Sequence, residues 1–201
     1  MTTRRRAETQ RRLIDAAYEV FCELGIRDAP VEVICERAGF TRGAFYSNFD
    51  SKEDLFLAVY REQMQERVDR LRAAVDDAAK SSDDVTQVLQ HAAVLFMESL
   101  TSDVTWYLLN VEFRAQALRQ PELRAPTAAA EARFHDGLAE ILLGLLNKLG
   151  LRLTVEPRSA VDTIVALYQT MLERSLLGEQ DSRYVTDVIP RVFASLVTRE
   201  N

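Results

Sequence analysis

The chain has 201 residues, 47% of them apolar, with only seven Gly and five Pro, which favours long helices in one large or two small domains over an all-β fold. It lacks any run of 18 apolar residues to span a membrane, and its basic N-terminus leads into polar residues 8–12 rather than an apolar signal core, so a cytoplasmic protein is expected. The net charge of −6 argues against a generic nucleic-acid binder, but residues 62–201 carry all of it, residues 1–61 balance ten basic against ten acidic groups, and residues 1–14 are locally +4.

Helix one is predicted over about 8–24, where Leu13, Ala17, Val20, Phe21 and Leu24 recur at helical steps as one apolar face. Gly25 fits a left-handed C-cap, followed by apolar Ile26. Helix two is predicted over about 30–37, with Pro30 in its first turn and Val31, Ile34, Cys35 and Ala38 inward. Cys22 and Cys35 lie on apolar faces and read as reduced core residues. Gly39 supplies a tight turn, Thr41 caps a very short helix three, and Phe45 and Phe49 plug the core. Its other side carries Arg42, Gly43, Tyr46 and Ser47, which suit close approach to a polyanion. A helix-turn-helix needs a second helix of this kind for the major groove. Ser51 with Asp54 is a capping box opening helix four, which runs to a break at 80–84. Further helices are predicted at about 84–101, 104–119, 124–149, 157–177 and 182–199, with Pro190 kinking the last.

The residues Ile14-x-x-Ala17, Phe21, Gly25, Ile34, Ala38-Gly39, Gly43, Phe45-Tyr46, Phe49 and Ser51-Lys52-Glu53-x-Leu55 stand at fixed spacing over about fifty residues. In this stretch the chain resembles the TetR family of bacterial transcriptional regulators. The resemblance implies an all-α protein. A three-helix helix-turn-helix domain (1–61) is joined by a long helix to a divergent helical-bundle domain (62–201) for effector binding and dimerisation. It implies DNA contacts by Thr41, Arg42, Gly43, Ala44, Tyr46, Ser47 and Asn48, and a phosphate contact by Lys52. The chemistry agrees: Arg42 suits guanine O6 and N7, Gly43 and Ala44 leave room for a backbone or a thymine methyl, and Tyr46 and Lys52 suit phosphate oxygens. Arg4, Arg5 and Arg6 suit an arm on the adjacent minor groove or phosphates. One departure is Ala29-Pro30, where the family often has two hydroxyl residues.

In the second domain Phe96, Met97, Trp106, Tyr107, Phe113, Phe134, Tyr168 and Met171 fit either the lining of a drug-sized pocket or plain core. His91, Glu112 and His135 are polar residues on otherwise apolar stretches. Two histidines without a His-x-x-x-His pair or a Cys cluster give no expectation of a metal, and no cofactor is expected. The last two helices are apolar on broad faces, which fits a four-helix dimer interface or full burial in one subunit. The expectation is a repressor, not an enzyme. It binds a palindromic operator as a homodimer and is released by a small apolar or amphipathic effector. The alternative is a DNA-binding protein without such an effector, acting through a protein partner.

Overall fold

A computed structural model describes residues 2–81, 84–101, 104–178 and 188–199. The elements are α1 (Thr2–Asp28), α2 (Val31–Ala38), α3 (Arg42–Tyr46), α4 (Lys52–Ser81), α5 (Val85–Thr101), α6 (Val104–Arg119), α7 (Pro121–Lys148), β1 (Leu151–Leu153), α8 (Pro157–Leu176), α9 (Ile189–Ser195) and β2 (Val197–Arg199). Among the described residues the architecture is all-α apart from one two-stranded ribbon. Packing divides the chain into two compact units, one of residues 1–66 with 103–131 and one of residues 67–102 with 132–201. The division by function expected at residue 61 is a different matter, because packing groups α6 with the N-terminal helices.

In the first unit Leu13, Ala17, Val20 and Phe21 of α1 are buried, as their spacing predicts. Leu24 is not: it is 46% exposed, because the chain breaks at Gly25 (φ 77°, ψ 165°) and Ile26 turns into the core in its place. Gly39 adopts the left-handed conformation (φ 71°, ψ 35°) and ends α2. The Phe40 N–H then donates to the Cys35 carbonyl at 2.8 Å, and Arg12 donates to the Ala38 carbonyl at 2.7 Å. The arms of an aromatic cluster meet on Phe56 of α4 and its neighbour Trp106. Phe113 lies 4.4 Å and Trp106 6.0 Å from the Phe56 ring, Phe21 5.7 Å from it, and Tyr18 5.8 Å from Trp106. This is why α6 belongs with the N-terminal helices. Helix α6 is apolar on two faces: Trp106, Leu109, Phe113 and Ala117 are buried, while Val104, Leu108, Val111 and Leu118 are exposed.

In the second unit Gly137 of α7 lets α4 approach closely, since a Cβ there would stand 3.0 Å from Val68 Cγ1. The ion pairs Lys148–Asp76 (2.7 Å) and Arg72–Glu140 (3.1 Å) join the same two helices at the surface. On α8, Val161, Ile164, Val165, Tyr168 and Leu172 are buried within this unit, and Leu167 and Met171 are half-buried. The C-terminal segment corrects one expectation. Its predicted helix at 182–199 is helical in its described part from Val188 to Ser195. Residues 182–187 lie outside the described residues. Pro190 sits in the first turn of α9, a position that its missing N–H suits. Residues 197–199 form a strand, where β-branched Val197 and Thr198 fit an extended chain. They pair antiparallel with β1, Leu153 opposite Val197 and Leu151 opposite Arg199. Pro121 likewise starts α7 three residues earlier than the periodicity suggested.

Candidate nucleic-acid interface

The exposed short helix is built from both ends. Thr41 accepts the Ala44 N–H on its hydroxyl at 3.2 Å, satisfying one orphan donor at the start of α3. Phe45 and Phe49 are buried and anchor the helix to the core. Ser51 accepts the Asp54 N–H at 3.0 Å and so opens α4, while the Asp54 carboxylate accepts from Asp50 at 3.3 Å. With its inner side fixed, α3 turns Arg42, Gly43 and Tyr46 outward, and these and Ser47 are exposed. At Gly43 an added Cβ would meet only the Thr41 hydroxyl, at 3.7 Å, so the outer side is open. Tyr46 is 51% exposed, with its ring edge-on to Phe45.

Arg42 projects from this surface and is held by Glu32 of α2, at 2.7 Å between guanidinium and carboxylate. Its guanidinium carbon lies 5.9 Å from the Tyr46 ring centre. Tyr46 first and Glu32 second push its pKa above the ordinary value, so it remains a cation. Ser47 and Asn48 are turned back toward their own helix. The Ser47 hydroxyl and the Asn48 amide each donate to the Ala44 carbonyl at 2.8 Å. Lys52 is partly buried, and its ammonium donates to the carbonyls of Arg27 (2.8 Å) and Ala29 (3.0 Å). Arg4–Arg6 lie inside α1 and are exposed, and Arg6 donates to the Ser47 carbonyl at 3.4 Å. The basic N-terminus therefore sits beside α3 as a helix and not as an extended arm.

The residues expected around an effector fall in both packing units. Trp106 and Phe113 are core residues of the first unit, and Tyr107 is half-buried there. Phe113 also lines a crevice with Leu57, Tyr60, Asn110, Arg114, Thr127, Ala130 and Glu131 that is too narrow to admit a water molecule. Phe134 and Tyr168 are buried in the second unit, where Phe96 and Met171 are half-buried. The side chain of Met97 lies outside the described residues. Among the described residues no three His, Cys, Asp or Glu side chains converge as a metal site, and no helix is long and apolar enough to cross a membrane. Cys35 is buried, and that burial, then Glu32, raises its thiol pKa.

Sequence reasoning missed three features: Glu32 as the partner of Arg42, Arg12 as a cap on α2, and Glu112. The last had a signal, an acid on an apolar stretch. Its carboxylate accepts the N–H groups of Ile26 (3.1 Å) and Arg27 (2.7 Å).

Comparison with known proteins agrees with this geometry. Residues 13–59 match the model of the bacterial regulatory proteins of the tetR family. The chain is 30% identical over 137 residues to the HTH-type transcriptional activator FasR of Mycolicibacterium smegmatis, which covers 68% of this chain and 60% of that protein. The chain thus spans less than two thirds of the length of that curated relative. Among solved structures it resembles the fatty acid degradation regulator FadR of Bacillus halodurans, with TM-score 0.64, 22% identity and coverage of 92% and 93% of the two chains. It also resembles FadR of Bacillus subtilis, solved in complex with stearoyl-CoA, with TM-score 0.61, 22% identity and coverage of 91% and 95%. These likenesses carry the fold alone. Through residues 13–59 the chain belongs to the TetR family of bacterial regulators.

Proposed function

We propose that this protein is a ligand-responsive transcriptional regulator that binds a near-palindromic operator as a homodimer. Residues 1–61 read DNA, and residues 62–201 take the effector and form the dimer through α8 and the last helix. The observation that carries this reading is α3. It is capped by Thr41 and rooted by Phe45 and Phe49, and it presents Arg42, Gly43 and Tyr46 on an open surface. A five-residue helix buries too little to exist for the core alone, and its exposed chemistry is that of base and phosphate contact. Thr41, Ala44, Ser47 and Asn48 complete the contact set, and Lys52 reaches phosphate by giving up one of its carbonyl partners.

The effector is a small apolar or amphipathic molecule received in the second unit, where Phe96, Phe134, Tyr168 and Met171 are the candidate contacts. The stearoyl-CoA held by the Bacillus subtilis relative supports this chemical class. We propose repression as the sign, with the effector favouring a head spacing that no longer matches successive major grooves. The name of FasR, an activator, makes this sign a direct object of test. A second reading, a regulator without an effector that acts through a protein partner, draws support from the exposed apolar stripe of α6.

Selection of duplexes from a random pool, followed by footprinting, tests the DNA reading. The expected product is a two-fold symmetric site with half-sites one helical turn apart. Failure to enrich any sequence overturns it. A thermal-shift screen with fatty acids, acyl-CoAs and planar cations separates the two readings. A reporter carrying the selected site, silent with the protein and active without it, fixes the sign.

A further inference from the structure

The connection between α1 and α2 is gripped from outside on both sides. Gly25 breaks α1, and the next turn opens with two backbone donors, the N–H groups of Ile26 and Arg27. Both donate to the carboxylate of Glu112 on α6, at 3.1 and 2.7 Å. Two carbonyls at the far side of the same turn, those of Arg27 and Ala29, accept from the Lys52 ammonium at 2.8 and 3.0 Å. An anion thus stands where orphan N–H groups cluster and a cation where orphan carbonyls cluster, the arrangement that helix-end electrostatics favours. Gly25 fits its place in this grip twice over. Its φ of 77° suits glycine, and a Cβ there would come within 3.3 Å of the Glu112 carboxylate.

Besides these polar contacts, the turn that leads into α2 is seated by Ile26 and Ala29, both buried. Pro30, the residue before α2, makes no side-chain cap. Glu112 itself is set firmly. On the same helix Trp106 and Phe113 pack on Phe56, and Gln116 donates to Glu53 at 2.8 Å. Hydrogen bonds to a charged acceptor are the stronger class, so the two N–H bonds bind the turn to α6 more tightly than neutral ones.

We infer that Glu112 is a positioning residue for DNA reading: from α6 it fixes the backbone of residues 26–29 and thereby the pitch of α2 and α3. This rests on the DNA-binding function proposed above. Any shift of α6 along its axis is then transmitted to the reading helix through two hydrogen bonds, without passing along α4.

The test uses full-length protein, the duplex selected by wild type as specific probe and a scrambled duplex as non-specific probe. Glu112→Ala is expected to bind the selected duplex at least tenfold more weakly. Glu112→Gln, with one acceptor oxygen for two donors and nearly the same shape, should fall between. Binding to the scrambled duplex and its salt slope should not change, because no phosphate contact is removed. Amide exchange at Ile26 and Arg27 should quicken at least tenfold in Glu112→Ala while that of Val20 does not. A merely structural role would lower the melting temperature and weaken both kinds of binding in parallel. That parallel loss, or specific binding retained within twofold, overturns the inference. If wild type enriches no duplex, the DNA reading is what fails, and unchanged exchange at Ile26 and Arg27 still overturns the grip.

Discussion

Arg42 and Lys52 are the two cations proposed to meet DNA, and the free protein engages them differently. Arg42 pairs with Glu32 at an exposed surface, where solvent screening leaves the pair weak and readily exchanged for guanine. Lys52 serves two carbonyls in a partly buried place, so its loss also loosens the α1–α2 turn. Arg42→Ala should therefore weaken specific binding by about 1–3 kcal/mol and relax one or two base positions without changing the melting temperature. Lys52→Ala should weaken binding to every duplex and also lower stability by about 1–2 kcal/mol. Titration at several salt concentrations together with denaturant unfolding separates the two. Asp162 offers a pH test. Burial pushes its pKa up, but hydrogen bonds from Arg158 and His135 prevail and leave it below the ordinary value. A depressed carboxylate stabilises the fold above its unfolded pKa, and this is lost as pH falls through the folded value. The acid limb of melting temperature against pH, below about pH 4, should flatten in Asp162→Asn; an unaltered limb would show that the Arg158–Asp162–His135 cluster contributes nothing.

Glycines set two close fits between elements. At Gly39 alanine would adopt an unfavourable φ and stand 2.9 Å from the Arg12 guanidinium, for a loss of about 1–2 kcal/mol. At Gly137 alanine would press on Val68 between α4 and α7, for about 1–3 kcal/mol, and Val68→Ala in the same chain should recover part of it. Denaturant midpoints check both, and an unshifted midpoint would remove the fit concerned. Much of the head was legible because its signals are local. Gly39, the Thr41 cap and the Ser51–Asp54 pair each act within a few residues. The strand at 197–199 was not, because three residues carry no period and their partners lie more than forty positions away. The pairing of α6 with the N-terminal helices was hidden for a related reason. Phe113 and Trp106 look alike as pocket lining or core until Phe56 is seen between them. Glu112 was visible as an oddity, but nothing within α6 says that its partners are the amides of residues 26 and 27.

For the whole molecule, the two units make different demands. A dimer is expected at micromolar concentration by sedimentation, reduced to monomer by deletion of residues 181–201; a dimer that survives the deletion rejects the C-terminal interface. The first unit is discontinuous in sequence, residues 1–66 with 103–131. A fragment of residues 1–66 keeps the three N-terminal helices but strips Trp106 and Phe113 from the face of Phe56, and it should unfold without a cooperative transition while the full chain shows one. Calorimetry decides, and a sharp transition in the fragment would mean that α6 is dispensable to the head. The same discontinuity has a consequence for the protein as it is made. A ribosome adding about 5–20 residues per second needs roughly 3–13 s to pass from residue 67 to residue 131. Until residue 113 is added, the nascent chain holds every residue proposed to touch an operator while its aromatic cluster is unfinished. A message cut short before α6 should then yield a peptide without a folded head, so truncated products are not expected to compete with the finished regulator for its sites.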